Sequence, residues 1–516
     1  MSHERSIDER PVSEGGSPRP VFQGVSARPM LEADRSGFVA THDLWREREW
    51  AAAAQLRRVV DERGIDLVRV SFADQHGVLR GKTVTRDALW SALSGAVTVP
   101  SSLLLKDTSG RSCYPVFTPG AGVGIDWMAG AGDVTLVPDP TSFRILPWAE
   151  RTGWILCDLH FADGAPVPFS TRGLLRRQLD RLTARGYGMI VGVELEFHVF
   201  RRRDEALSEA NLGAPGSPGE PPAVGPVSRG SQLLHEEGLD ELDDLVRALH
   251  DGLVGLDLPL RSIELEFGPN QLEVTFAPRP ALQAADDVIL ARSAIRQICR
   301  RNGYHATFMS RPRGADTASS GWHLHQSLVD LKTGSNAFSP TSGDQLLSTA
   351  GLRYLGGLLA HAAAASVFST PTINGYKRYR PLSLAPDRIV WGIDNRGAMV
   401  RTVTGPGDAA VRLENRAGEP AANPYLFVAS QLVCGLDGLD HEVDPGPPTA
   451  EPYLADARRL PSSLMQALDA LRADDLFAST FGQDVVDWIV TLKRAEIDRY
   501  LADVSDWEQR EYFSLL

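Results

Sequence analysis

The sequence predicts an α+β fold, with a small β-rich module ahead of a larger domain in which strands and helices interleave. Three observations carry this prediction. Residues 67–84 (LVRVSFADQHGVLRGKTV) alternate as a hairpin does, and beyond Thr171 helical runs are separated by short strand-like ones. Several of those strand-like runs carry charged residues two apart, the spacing that a strand places on one face.

The chain has 516 residues with 53 basic and 66 acidic side chains, a net charge of −13, 43% hydrophobic and 23% charged. That is ordinary globular composition, which excludes wholesale disorder and fibrous repeats. The acidic balance argues against a nucleic-acid or anionic-membrane surface. If the ligands are anionic, positive charge must be gathered locally. No run approaches the ~18 to 20 apolar residues of a membrane span, and the opening MSHERSIDERPVSEGG lacks the pattern of a signal peptide, so a cytoplasmic location is expected. Cys113, Cys157, Cys299 and Cys434 form no CxxC pair. Unpaired thiols in a reducing compartment follow, and zinc is disfavoured.

Residues 1–40, rich in Ser, Pro, Gly and charge, read as a disordered tail. Helical character runs from Leu44 to Arg63, with Gly64 at the stop. The hairpin turns at residues 74–77 and opens a β-rich module, 41–165, which includes GAGDVTLVPDPTSFRILPW. The second domain, 166–516, begins with a helix from Thr171 to Ala184 and has further helices near 282–301 and 349–366. Residues 204–230, dense in Pro, Gly and Ala, form a surface loop or lid. The charge run of 232–251 reads as a solvated helix face.

The chemistry lies on the strands. Glu194 and Glu196 share a face in MIVGVELEFHVF, as do Glu264 and Glu266 in SIELEFGPNQLEVTF, with Glu273 returning after the Gly268–Asn270 turn. His323 and His325 repeat the spacing in SSGWHLHQSL, which turns Trp322 toward the core. In VRLENR, Arg412, Glu414 and Arg416 share a face. Like-charged carboxylates on one buried face repel unless a cation sits among them, so the set asks for metal. Oxygen donors with few nitrogens and no sulfur suit Mg²⁺ or Mn²⁺. Arg378, Arg396, Arg401, Arg412 and Arg416 supply forks suited to phosphate and carboxylate oxygens. No P-loop is present: GAGVG lacks the lysine and helix start that motif needs.

In this order, VRVSFADQHGVLRGK, PDPTSFRILPW, ELEF, ELEFGPNQLE, SGWHLHQSL, NGYKR, DNRGAMVR and ENRAGEPAANPYL resemble the glutamine synthetase superfamily from about Leu67 onward. The resemblance implies an N-terminal β-grasp domain and a catalytic domain with a curved antiparallel sheet. It also implies homo-oligomeric rings, usually a dodecamer of two hexamers, with sites between neighbouring subunits. Carried over position by position, it implies that Glu196, Glu266 and Glu273 hold one metal and that Glu194, His323 and Glu414 hold the other. His325, Ser327, Arg396 and Arg412 match ATP-contacting positions, and Arg401 a phosphate contact, with Arg396 and Arg401 acting catalytically. Arg378 and Arg416 match the arginines that hold the glutamate substrate. The implied reaction is ATP-dependent phosphorylation of the γ-carboxylate, followed by attack of an amine on the acyl phosphate.

Three departures bear on the amine. The acidic flap residue of ammonia-using members is replaced by Leu384 in RPLSLAP. Their FDGSS acid has no counterpart in SCYPVFTPGAGVGIDWMAGAGD unless Asp126 takes its place. The glutamate-contacting NGSG becomes Ala318, Ser319, Ser320 and Gly321, with only the terminal glycine taken as a glutamate contact. Losing both ammonium carboxylates removes the reason for a cationic nucleophile site. The combination looks like the family's γ-glutamyl-amine ligases, with an apolar or aromatic amine favoured over polyamine or ethanolamine. Leu384, with Trp127 or Phe117, would line an apolar slot, whereas Glu264 or the acids of 232–251 would serve a cationic amine. An ammonia-dependent glutamine synthetase and a non-catalytic relative are the alternatives. Retention of six metal positions argues against the second. Tyr453 in EPYLAD is only a loose echo of the NLYDLP stretch of regulated members.

Overall fold

A computed structural model describes residues 35–516 except 96, 119–122, 205, 314–317, 341–344, 381 and 405–409. Most of the expected tail therefore lies outside the described residues. The helix Gly37–Thr41 falls inside the stretch expected as tail, which corrects that boundary. Its Val39 is fully buried and donates its backbone N–H to the carbonyl of Ser94. A distant contact orders a segment whose composition alone reads as disordered.

The small sheet comprises β1 (Leu67–Ala73), β2 (Leu79–Thr85), β3 (Val97–Pro100), β4 (Asp133–Pro138), β5 (Arg144–Ile145) and β6 (Thr152–His160). Its order is β2-β1-β6-β4-β3, with β5 on β6. The β1–β2 pair is the expected hairpin, closed from Leu67 opposite Thr85 to Ala73 opposite Leu79. The helix Glu47–Glu62 ends before Gly64, whose φ of +58° suits the left-handed stop.

The large sheet begins with β7 (Tyr187–Arg202), β8 (Val224–Gly225), β9 (Leu260–Leu265), β10 (Gln271–Pro280) and β11 (Tyr304–Thr307). It continues with β12 (Trp322–Asp330), β13 (Trp391–Ile393), β14 (Val400–Val403) and β15 (Arg412–Asn415). The central order is β13-β14-β15-β12-β7-β10-β9, antiparallel except between β13 and β14. One face is apolar: Leu195, Leu272 and Leu324 are buried there, and Trp322 is fully buried edge-on against Phe427, as its alternation predicts. The helices Thr171–Ala184, Ala281–Arg301 and Pro424–Asp440 pack together behind it.

The helix expected over 349–366 is two, Thr349–Ala360 and Ala362–Ser369. They meet at His361, whose ring nitrogens pair with Asp437 (2.9 Å) and Asp474 (2.7 Å). Residues 204–230 are largely irregular, broken by a turn at Glu209–Asn211 and by β8. No helix among the described residues is long and apolar enough to cross a membrane. All four cysteines are free thiols.

Two buried arginines bind the sheets together. Arg172 donates to Asp139 (2.7 Å), Asp158 (3.0 Å) and Asp286 (2.8 Å). Burial alone would raise the Asp139 carboxyl, but the Arg172 guanidinium outweighs it and holds the value down to about 2. Arg292 donates to the carbonyls of Gly77 at the hairpin turn (2.9 Å), Pro420 (2.9 Å) and Ala422 (2.8 Å). Asn423 Nδ2 adds a bond to the Asp74 carbonyl (3.0 Å). Breaking a buried ion network leaves uncompensated charge. Arg172→Ala is therefore expected to lower the unfolding free energy by about 3–5 kcal/mol, read as a reduced urea midpoint, and an unchanged midpoint would contradict the role given to this network.

Candidate active site

Strand register assembles the polar face. Glu264, Glu273 and Glu196 lie side by side across β9, β10 and β7. Thr275, Glu194 and His323 form the next row across β10, β7 and β12. His325, Glu414 and Arg401 continue across β12, β15 and β14. Glu266 follows the end of β9, its Oε2 accepting from the Phe267 N–H at 3.0 Å. Gly192 lies opposite His325, and a Cβ there would stand 3.2 Å from that of the histidine. A larger residue would crowd the imidazole.

The carboxylates divide electrostatically into two groups. Burial pushes Glu273 up to about 10, and Glu196, Glu194, Glu266 and Glu264 reinforce it. Burial also raises Glu196, with Glu266 adding to the shift, and burial with Glu264 and Glu194 raises Glu266. Glu194 goes the other way: bonds to His323 Nδ1 (3.2 Å) and His325 Nε2 (2.9 Å) overcome burial and hold it well below the carboxylate range. Glu414 is lowered despite burial by His323 and Arg416. His323 is itself depressed to about 4 by burial and by Arg416.

Two sets of ligand atoms lie within 4.8 Å of one another: Glu194, Glu273 and His323, and Glu194, His325 and Glu414. These oxygen-rich sets could hold a hard divalent cation, which would replace the protons on the raised carboxyls.

The arginines ring this face. Arg401 donates to Glu414 Oε2 (2.8 Å) and to Asp394 Oδ1 (2.9 Å). Arg416 bonds Glu414 Oε1 and donates from Nε to the carbonyl of Arg396 (3.0 Å). Arg378, fully enclosed, donates to the carbonyls of Arg416 (2.7 Å) and Ala417 (3.1 Å). A Cβ at Gly321 would come within 2.6 Å of the Arg378 guanidinium, so a larger residue there would displace it. A cavity of about 670 Å³ opens beside Glu194, lined by His325, Ser327, Arg412 and Glu264. Arg412 Nε donates to His325 Nδ1 (3.1 Å).

The flap after Arg380 presents Leu382 and Leu384, 84% and 58% exposed, at φ of +61° and +59°. Bulky residues seldom adopt that region, and such strain clusters at functional sites. A second segment holds the flap. Tyr453 donates its hydroxyl to the Ala385 carbonyl (3.1 Å), Arg388 donates to the carbonyl of Ala455 (2.6 Å) and Leu460 to that of Asp387 (3.0 Å). Burial and Asp387 raise the Tyr453 phenol, while Arg416 and Arg378 oppose the shift.

The model of the glutamine synthetase catalytic domain matches residues 168–512. The chain belongs to the glutamine synthetase family. It is 44% identical to a gamma-glutamylanilide synthase of an Acinetobacter species over 500 residues, covering 94% of this chain and all of the relative. A glutamate–isopropylamine ligase of a Pseudomonas species is 30% identical over 474 residues, covering 90% and 98%. A solved GmaS structure in complex with ADP superposes with a TM-score of 0.73 at 28% identity, covering 89% of this chain and 99% of that one.

The structure gathers the expected positions on one sheet face, and the ligand atoms that lie nearest one another cross the two expected sets. The two expected metal sets were Glu196, Glu266 and Glu273, and Glu194, His323 and Glu414. The convergent atoms bring His323 to Glu273 and His325 to Glu414, both sets sharing Glu194, while His323 also lies 3.7 Å from Glu196 and 3.9 Å from Glu414. Glu196 is turned to Gln271 Nε2 (2.8 Å) and the Gly321 N–H (2.9 Å). His325, Ser327 and Arg412 line one cavity, whereas Arg396 is exposed outside it. Phe117 and Trp127, 82% and 50% exposed, stand on the small domain. Acids in 232–251 face solvent, as expected of that run.

Sequence reasoning missed Gln271 and Glu419. Gln271 lies two before Glu273 and opposite His198, so alternation carries its signal. Glu419 sits in an irregular segment without periodicity, and its signal is its place within ENRAGEPAANPYL. Burial raises Glu419 to about 7, although it accepts from the Thr372 N–H (2.7 Å) and hydroxyl (2.8 Å).

A raised carboxyl adds stability that is complete below its unfolded value and lost as pH rises through the folded one. For Glu273, metal-free protein should lose stability as pH climbs from the ordinary 4.5 toward about 10, and saturating Mg²⁺ or Mn²⁺ should suppress that loss. Calorimetry at pH 7 in buffers of different ionisation enthalpy should detect proton release on metal binding, because Glu273 and Glu196 are both raised; none released would contradict protonated carboxyls on this face.

Proposed function

We propose that the chain is an ATP-dependent ligase that joins the γ-carboxylate of glutamate to an apolar, preferably aromatic, amine. A γ-carboxylate oxygen attacks the γ-phosphorus of ATP, the new P–O bond forming as the bond to ADP breaks. The amine nitrogen then attacks the acyl carbon, the C–N bond replaces the C–O bond to phosphate, and the nitrogen loses its proton. We assign Glu196, Glu266 and Glu273 to one divalent cation and Glu194, His323 and Glu414 to the other, with His325 able to join Glu194 and Glu414. Such a cation, Mg²⁺ or Mn²⁺, supplies neutralisation of phosphate charge. His325, Ser327, Arg396 and Arg412 bind ATP, Arg401 and Arg396 stabilise the transferring phosphoryl group, and Arg378, Arg416 and Gly321 hold glutamate. The enclosure of Arg378 and Arg416 and the cavity beside Glu194, lined by His325, Ser327 and Arg412, support this assignment.

The observation that carries the choice of amine is Leu384, an exposed apolar side chain on a tethered flap where ammonia-using members place an acid. An ammonium nucleophile is cationic at pH 7 and must be desolvated and deprotonated. An arylamine is already neutral. The relative named for anilide ligation favours a neutral arylamine, and the one named for isopropylamine ligation favours an amine with an apolar body. The exposed Phe117 and Trp127 fit a neighbouring chain that completes the slot in a homo-oligomer, which we place as a dodecamer of two hexameric rings. The four free thiols favour a cytoplasmic location.

The test is phosphate release from ATP and glutamate with aniline, isopropylamine, ethanolamine, putrescine and ammonium. Saturable turnover with aniline is expected, and turnover with ammonium alone would sink the reading. Leu384→Glu should raise kcat/KM for ammonium relative to aniline by about tenfold, the effect of one interaction of about 1.4 kcal/mol. An unchanged ratio would remove residue 384 from the amine site.

A further inference from the structure

A cavity of about 300 Å³ lies away from the carboxylates, between the β1–β2 hairpin and the helix Gln483–Leu501. That volume is at the lower end for small-molecule pockets, which favour domain junctions. Phe368, Leu426, Ile489 and Leu492 give it an apolar wall, with Val78 on the hairpin side. Arg80 and Lys493 also line it, and no Asp or Glu does among the described residues.

Lys493 is the informative group. Only 8% exposed, its ammonium has three donors and one bond, to Glu496 Oε2 at 3.1 Å. Arg80 is committed through Nε to Asp74 (2.8 Å), which leaves its terminal nitrogens available. Both counter-carboxylates lie outside the lining, so the cavity presents positive charge above an apolar wall. We propose that it binds a small organic anion with an apolar body, of the size of a monocyclic aromatic carboxylate. The carboxylate meets Lys493 and Arg80, and the ring packs on Phe368, Ile489 and Leu492.

The site is connected to the reaction centre. Thr372, on its wall, holds Glu419 through N–H and hydroxyl and accepts from the Gly375 N–H at 3.0 Å. Gly375–Arg378 is the turn that carries Arg378. Occupancy therefore shifts the KM for glutamate more than kcat, an effect that rests on the proposed function, whereas binding itself does not.

The test is titration calorimetry of the full-length oligomer with benzoate, with the neutral isostere benzamide as control. Glutamate and a non-hydrolysable ATP analogue are held saturating, so that Arg378 and Arg416 are already occupied. Benzoate should bind once per chain. Lys493→Met should raise its Kd about tenfold or more, the loss of one charge-assisted bond, and benzamide should show a similar deficit. Val78→Trp, which fills the cavity from its half-buried hairpin side, should abolish binding. If Lys493→Met unfolds because Glu496 is left unpaired, Lys493→Met with Glu496→Leu restores balance and should show the same weakened binding. Absence of saturable binding at about 10 mM, or binding undiminished by Val78→Trp, overturns the proposal. Turnover is not measured in any of these arms, so their failure is distinct from failure of the ligase reading.

Discussion

Repulsion among carboxylates gathered on one sheet face is the constraint to which the rest of this structure answers. At an effective dielectric of about 20, two like charges roughly 4 Å apart cost on the order of 4 kcal/mol, and six glutamates contribute to this face. The fold meets that cost in two ways. On the β9–β10–β7 side, Glu273, Glu196 and Glu266 are pushed toward their protonated forms. On the β12–β15–β14 side, imidazoles hydrogen-bond Glu194 and guanidiniums pair with Glu414. One half is thus poised to exchange protons for a cation, and the other is pre-organised around anionic oxygens. The largely apolar reverse face, centred on Trp322, keeps the strands in the register that this division requires.

The segment from Glu414 to Asn423 carries that organisation outward. Its first residues sit between Arg401 and Arg416, and the carbonyls of Arg416 and Ala417 hold Arg378. Glu419 holds Thr372, while the carbonyls of Pro420 and Ala422 receive Arg292, which also grips the hairpin at Gly77. Ten consecutive residues therefore link the carboxylate face, the buried arginine and the small domain. Arg292 bonds only carbonyls, and burial with Arg296 pushes it down to about 9. A cation kept without a paired carboxylate fits a role in fixing backbone position.

What was legible in the sequence follows the range of the interaction that decides it. Alternation placed Glu194 with Glu196, His323 with His325 and Trp322 on the opposite face, because period two is a property of each strand alone. The pairing of His325 with Glu414 depends on register between β12 and β15, separated by 80 residues and more, and residue spacing holds no record of it. The break at His361 has the same origin, since Asp437 and Asp474 come from remote helices. Val39 is ordered by Ser94, and Glu419 is fixed by Thr372 within irregular chain. Tyr453 read as a faint echo of another motif, and only the folded chain brings it to the flap.

The flap gives the substrate reading a physical basis beyond the missing acid. Holding Leu382 and Leu384 in left-handed backbone costs on the order of 1–3 kcal/mol each, and a loop free to relax would shed that strain. Here the 453–460 segment bonds to residues 385–389 through Tyr453, Arg388 and Leu460, so the strained arrangement is held from outside. Two exposed leucines fixed against solvent make sense if another apolar surface completes them. The acidic excess of −13 sharpens the contrast. This chain is rich in carboxylates and concentrates them on one sheet face, whereas the exposed flap positions 382 and 384 carry leucines.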